Sequence, residues 1–138
     1  MSMAEDGFNL AVALSHTDRD PETITSALRL EPDFAWAKGM SLESGTLEST
    51  RWRGRLASGA GEEEYAVALQ SVCSFLSANA QFFHTFQEEE GVAELVMNYG
   101  IGLDEGKVLE ISYSPALLRQ LVDLGIWLRV EAWAGRTE

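Results

Sequence analysis

The sequence predicts an α+β fold, a two-layer sandwich in which helices pack on one face of a mainly antiparallel sheet. Three observations carry that expectation. Stretches of strict two-residue alternation recur along the chain. Two helices are announced by a capping residue followed at once by proline. The helical stretches are also too few to supply a crossover between every pair of strands, as a parallel sheet would need.

The elements follow in order. Phe8, Leu10, Val12 and Leu14 alternate with Asn9, Ala11, Ala13 and Ser15, the period of a half-buried strand. In "DRDPETITSALRLEP" Asp20 is the N-cap, Pro21 the first helical residue and Glu22 an acidic first-turn residue. Ile24, Ala27 and Leu28 share a face, and the helix ends before Pro32. Phe34 and Trp36 are expected to point inward from a brief extended segment that closes at Lys38-Gly39. Ser and Gly punctuate "GMSLESGTLES" (39–49), which reads as a loop or weak hairpin.

"TRWRGRLAS" alternates again, with Trp52, Gly54 and Leu56 on one face and Arg51, Arg53 and Arg55 on the other. Tyr65, Leu69, Val72 and Leu76 then form a helical stripe, its start favoured by Glu62, Glu63 and Glu64 near the positive end of the dipole. A second helical piece carries Phe82, Phe83 and Phe86. Ala93, Leu95, Met97 and Tyr99 alternate as a strand, and "GLDEGK" is a turn-rich link. In the last unit Ser114 caps a helix with Pro115 in its first turn. Leu117, Leu118, Leu121 and Val122 make its apolar side, Gly125 stops it, and a strand runs from Ile126 to Trp133.

With 138 residues, 46% hydrophobic and 23% charged, the chain has material for one core, so a single domain over 8–138 is expected after a disordered segment over 1–7. One cysteine, Cys73, excludes an internal disulfide and a Cys-based zinc site. No stretch approaches the roughly 20 apolar residues of a membrane span and no signal-like segment stands out, so a cytoplasmic protein without membrane contact is expected. The net charge of -12 repels nucleic acid and favours a basic partner.

The run "DPETITSALRLEPDFAWAKG", the strand around Trp52, the acidic-capped helix and the ending "ISYSPALLRQLVDLGIWLRVEAW" resemble the bacterial domain-of-unknown-function family 4279 over nearly the whole chain. The most specific parts are the Asp-Pro-Glu helix start leading to Leu-Glu-Pro and Lys-Gly, and the Ser-Pro-x-Leu-Leu helix with Leu-Gly before a final strand. The resemblance implies a fold-sized unit and assigns no catalytic residue, cofactor or substrate.

Individual chemistries are weak. His16, Asp18 and Asp20 have a spacing at which ligands can converge on a divalent ion, but Asp20 is already needed as a cap. His84 sits among Phe83 and Phe86 without a partner, and Cys73 lies mid-helix beside Val72 and Leu76 as a small buried hydrophobe. "GAG" at 59–61 precedes a helix whose positive end is already occupied by Glu62 to Glu64. Glu88 to Glu90 fall where the dipole disfavours them and read as a solvated helix end or a partner surface. No phosphate loop or nucleophile elbow is present, so no catalytic residue, metal or cofactor is expected.

Two functional readings stand. The first is a non-catalytic protein-binding module, immunity-like or regulatory, an analogy of size and charge. The second is a small-ligand or anion-binding protein or enzyme with a pocket between sheet and helices, where Arg51, Arg53 and Arg55 hold the anion and Trp36 or Trp127 is a stacking wall. The arginines are expected to share one sheet face and pair with carboxylates. In the last strand Ile126, Leu128, Val130 and Ala132 take the core side and leave Trp127, Arg129, Glu131 and Trp133 opposite. Either the 39–49 loop covers the two tryptophans, or Trp127, Arg129 and Trp133 form an interface with a second copy or another protein.

Overall fold

The structure, a computed structural model, describes residues 7–101 and 111–134. Its elements are β1 (Gly7–His16), α1 (Pro21–Leu28), β2 (Pro32–Trp36), β3 (Ser41–Leu42), β4 (Gly45–Thr46), β5 (Thr50–Ala60), α2 (Glu62–Ala78), α3 (Ala80–Glu88), β6 (Val92–Ile101), α4 (Pro115–Leu124) and β7 (Ile126–Ala134). Five strands form one sheet in the order β2-β5-β1-β6-β7, and β3 and β4 make a separate two-residue hairpin. Every neighbouring pair in the large sheet is antiparallel except β6 and β7, which run parallel with α4 between them in sequence.

The helix ends follow from their caps. Asp20 accepts the Glu22 N–H at 3.0 Å ahead of Pro21, and Ser114 accepts the Leu117 N–H at 3.2 Å ahead of Pro115. Gly125 ends α4 with φ 69°, a left-handed conformation that glycine adopts without side-chain strain.

One face of the sheet is buried. Phe8, Leu10, Val12 and Leu14 of β1, Trp52 of β5 and Leu95, Met97 and Tyr99 of β6 meet residues of all four helices, among them Ile24, Val72, Phe83 and Leu117. Trp52 is the largest of these fully buried side chains, and its Nε1 donates to Thr25 Oγ1 at 3.0 Å, satisfying the one polar atom that burial would strand. Leu56 is skipped in the β1–β5 register, a bulge that turns both Leu56 and Ala57 toward the core.

Four expectations are corrected. Gly7 opens β1, so the strand begins inside the segment expected to be disordered; residues 1–6 and the "GLDEGK" link lie outside the described residues. Phe34 and Trp36 face away from the helices, because they pair with Arg53 and Arg51, while Ala35 pairs with buried Trp52. Local alternation shows that two side chains share a face, but the pairing partner decides which face. Cys73 is half-buried against the edge of the core. Finally, the 39–49 segment does not cover Trp127 and Trp133: both stay exposed, and the segment follows β2 at the other edge of the sheet.

Candidate binding face of the sheet

The second face of the sheet carries none of the helices' core contacts, and the register shows what stands on it. Phe34, Arg53, Ala13, Glu94 and Trp127 form one row across the five strands. Arg55, Ala11, Val96 and Arg129 form the next, and Ser58, Asn9, Asn98 and Glu131 the one after. Trp36 and Arg51 line up with Ser15 at one end, and Trp133 stands beside Gly100 at the other.

Small side chains therefore run down the middle and large ones stand on both sides. Asn9, Ala11, Ala13 and Ser15 are the residues of β1 on this face, and Ala11 and its neighbour Val96 are fully buried floor residues. One bank holds Arg51, Arg53 and Arg55 beside Phe34 and Trp36, whose rings stack with centroids 4.4 Å apart. The other holds Trp127, 69% exposed, Arg129, and Trp133, 63% exposed. The two sets of residues singled out from the sequence, far apart in the chain, thus stand on opposite sides of the β1 row on one sheet face.

Polar contacts fix several of these side chains. Arg129 Nη2 lies 3.2 Å from Glu94 Oε2. Asn98 is assigned with its oxygen toward Arg53, so that it accepts from Arg53 Nη2 at 2.9 Å and donates to Glu131 Oε1 at 2.5 Å. The reverse orientation offers only a 3.5 Å approach by Trp133 Nε1, and two charge-assisted bonds outweigh it. Among the described residues none of Arg51, Arg53 and Arg55 has a carboxylate partner, contrary to the expected pairing of all three; Arg53 reaches the Asn98 amide instead. Four arginines against two glutamates make the β5-β1-β6-β7 face locally cationic on a chain whose net charge is -12.

The arginine row points away from the helices, so it cannot line a pocket between the two layers. On the helix side the grooves are shallow. One of about 660 Å³ is lined by Cys73, exposed His84, Arg119, Gln120 and Asp123. Gln120 is occupied there, donating to the Cys73 carbonyl at 3.1 Å and to Ser77 Oγ at 2.8 Å.

The other candidate residues have structural partners. His16 Nδ1 accepts the backbone N–H of Asp18 at 3.1 Å and of Arg19 at 2.9 Å, which leaves the proton on Nε2, 3.2 Å from Glu89 Oε1. That approach is too poorly aligned for a hydrogen bond, so it is an electrostatic contact only. Asp18 pairs with Lys38 Nζ at 3.0 Å, and Asp20 caps α1. No group of three metal-ligating side chains gathers among the described residues.

A phenol cluster escaped sequence reading. Tyr65 of α2 and Tyr99 of β6 place their hydroxyls 2.5 Å apart beside Met97 Sδ. Burial pushes both phenols up from their ordinary range; the hydrogen bond with Tyr65 and the closeness of Tyr113 drive Tyr99 further, whereas the bond from Tyr99 partly offsets the rise at Tyr65. Tyr113 Oη is itself buried without a bonded partner among the described residues. Only the wide spacing of three tyrosines is visible in the sequence.

Fold and face together define a small α+β module with one covered and one open sheet face. The chain belongs to the domain-of-unknown-function family 4279 (DUF4279), which matches residues 7–135. No curated protein and no solved structure matches it. No helix among the described residues is long and apolar enough to cross a membrane.

Proposed function

We propose that this chain is a non-catalytic protein-binding module, immunity-like or regulatory, whose docking surface is the open trough of the sheet. The carrying observation is the joining of the Arg51, Arg53 and Arg55 row with exposed aromatics on both banks of a small-residue floor. Trp, Tyr and Arg supply most hot spots in protein interfaces, since they combine large contact area with directional hydrogen bonds.

The trough also supports a partner chemistry. From β5 to β7 is three strand spacings, about 14 Å, enough for a helix about 10–12 Å across. A helical segment with acidic side chains would meet the arginines and lay its apolar stripe between Phe34 and Trp36 on one side and Trp127 and Trp133 on the other. The basic partner expected from net charge averages over the whole surface; six of the 22 acidic residues, Glu62 to Glu64 and Glu88 to Glu90, sit at helix ends and not on the strands of this face. A cytoplasmic setting fits the lone half-buried thiol.

The test is a titration of an acidic amphipathic helical peptide, followed by tryptophan fluorescence, into the wild type and into Arg51→Glu/Arg53→Glu/Arg55→Glu. Saturable binding by the wild type, lost in the variant while its melting curve is unchanged, is expected. Binding of a matched lysine peptide in its place, or equal binding by the variant, overturns the reading.

A further inference from the structure

Beyond the trough, the geometry points to a homodimer in which β7 pairs antiparallel with β7 of a second copy, with Val130 on the two-fold axis. Among the described residues β7 is the last strand of the sheet and has β6 as its one partner, so its other edge offers a row of unpaired backbone groups. Of the eight large hydrophobic side chains exposed among the described residues, five gather here: Leu118 and Val122 of α4, and Trp127, Val130 and Trp133 of β7. Val122 is 78% exposed, and a shallow groove of about 460 Å³ runs between it, Leu118 and the start of β7. A monomer has no use for that concentration at a sheet edge, where it invites association.

The sequence of the strand selects the occupant. A two-fold axis perpendicular to the sheet keeps each face continuous, so outer-face residues must oppose outer-face residues. With Val130 opposite itself, Arg129 meets Glu131 of the second copy, Glu131 meets its Arg129, and Trp127 meets its Trp133. Shifting the axis by one residue sets Arg129 against Arg129 or Glu131 against Glu131. Only the central register pairs both charges with their opposites and both tryptophans with each other, and cross-strand pairs of these kinds are what fix register in a sheet. The Arg129 contact with Glu94 uses one nitrogen of the guanidinium and leaves others for the second copy. The two sheets would join into one of ten strands, and α4 of each copy would bury its Leu118 and Val122 near the seam.

Sedimentation equilibrium reads the mass directly. The wild type is expected at twice 15.2 kDa in the micromolar range. Arg129→Glu and Glu131→Arg, each alone, turn both cross-strand pairs into like charges and should raise the dissociation constant by about tenfold, while the double exchange restores it. In a Cys73→Ser background, Val130→Cys should oxidise to a disulfide-linked dimer, and the control Val67→Cys, more exposed but on α2 away from β7, should not. A monomer at millimolar concentration overturns the proposal. So does a dimer whose affinity ignores the charge exchange, or one in which Val130→Cys fails to cross-link.

Discussion

The phenol oxygens of Tyr65 and Tyr99 lie 2.5 Å apart, tying α2 to the middle of the sheet. Both groups are held protonated by burial, with pKa values above the roughly 10 of an unfolded tyrosine. Because the folded values are raised, their contribution to stability is fully present below pH 10 and is lost as pH climbs past it. The denaturation midpoint is therefore expected to fall between pH 9 and pH 11. Tyr99→Phe, which removes the more strongly shifted group, should show a shallower fall; an equal slope in both proteins would count against this account.

The ring of Trp52 lies over the backbone of its face neighbour Gly54. A Cβ at Gly54 would stand 2.5 Å from Trp52 Cη2 and 2.8 Å from Leu30 Cδ2; half-buried Leu30 can move aside, but the Trp52 ring is fully buried and held by its bond to Thr25. Gly54→Ala is expected to destabilise by about 1–3 kcal/mol through overpacking, despite raising strand propensity. Urea denaturation measures it, and a neutral result would show that the Trp52 layer is slack.

Much of the fold was legible because it is written locally. Asp20-Pro21 and Ser114-Pro115 mark helix starts through one side-chain hydrogen bond each, and the alternation in β1, β5 and β6 assigns their core residues directly. What was not legible depends on partners remote in sequence. The outward turn of Phe34 and Trp36 follows from pairing with Arg53 and Arg51, and the parallel run of β7 beside β6 follows from how α4 crosses the sheet. The candidate face shows both sides of this. Arg51, Arg53, Arg55, Trp127 and Trp133 stood out as residues, but their meeting across a floor of Ala11 and Val96 required the strand order.

Trp36 and Phe34 stack on the open face, half-buried by one another. Trp36→Ala should cost about 0.5–1.5 kcal/mol, the range of an aromatic pair, whereas Trp52→Ala should cost about 3–5 kcal/mol from the closed core. Thermal melts of the two variants give the contrast. Comparable losses would mean that the open face is structural and not held in reserve for a partner.

The three glutamates at the end of α3 offer a sharper test, because the structure gives adjacent members opposite signs. Glu89 Oε1 lies 3.3 Å from Arg19 Nη1 and 3.2 Å from His16 Nε2, joining the helix end to the β1–α1 turn. Both partners are more buried than Glu89, but the carboxylate is partly exposed, so Glu89→Gln should cost only about 0.2–1 kcal/mol and less at high salt. Glu90 follows with φ 68°, and Gly91 N–H closes onto the Phe86 carbonyl at 2.8 Å, the hydrogen bond that ends a helix through a left-handed residue. A glutamate there carries about 1–2 kcal/mol of backbone strain, of which the greater entropy of glycine in the unfolded chain returns about half. Glu90→Gly should thus stabilise the protein by up to about 1 kcal/mol, helped by removing a negative charge from the negative end of the dipole. Denaturant titration of the two single variants at low and high salt should give a loss for Glu89→Gln that shrinks with salt and a gain for Glu90→Gly that largely persists. Losses in both would assign the whole triplet to one electrostatic cluster and remove the backbone argument.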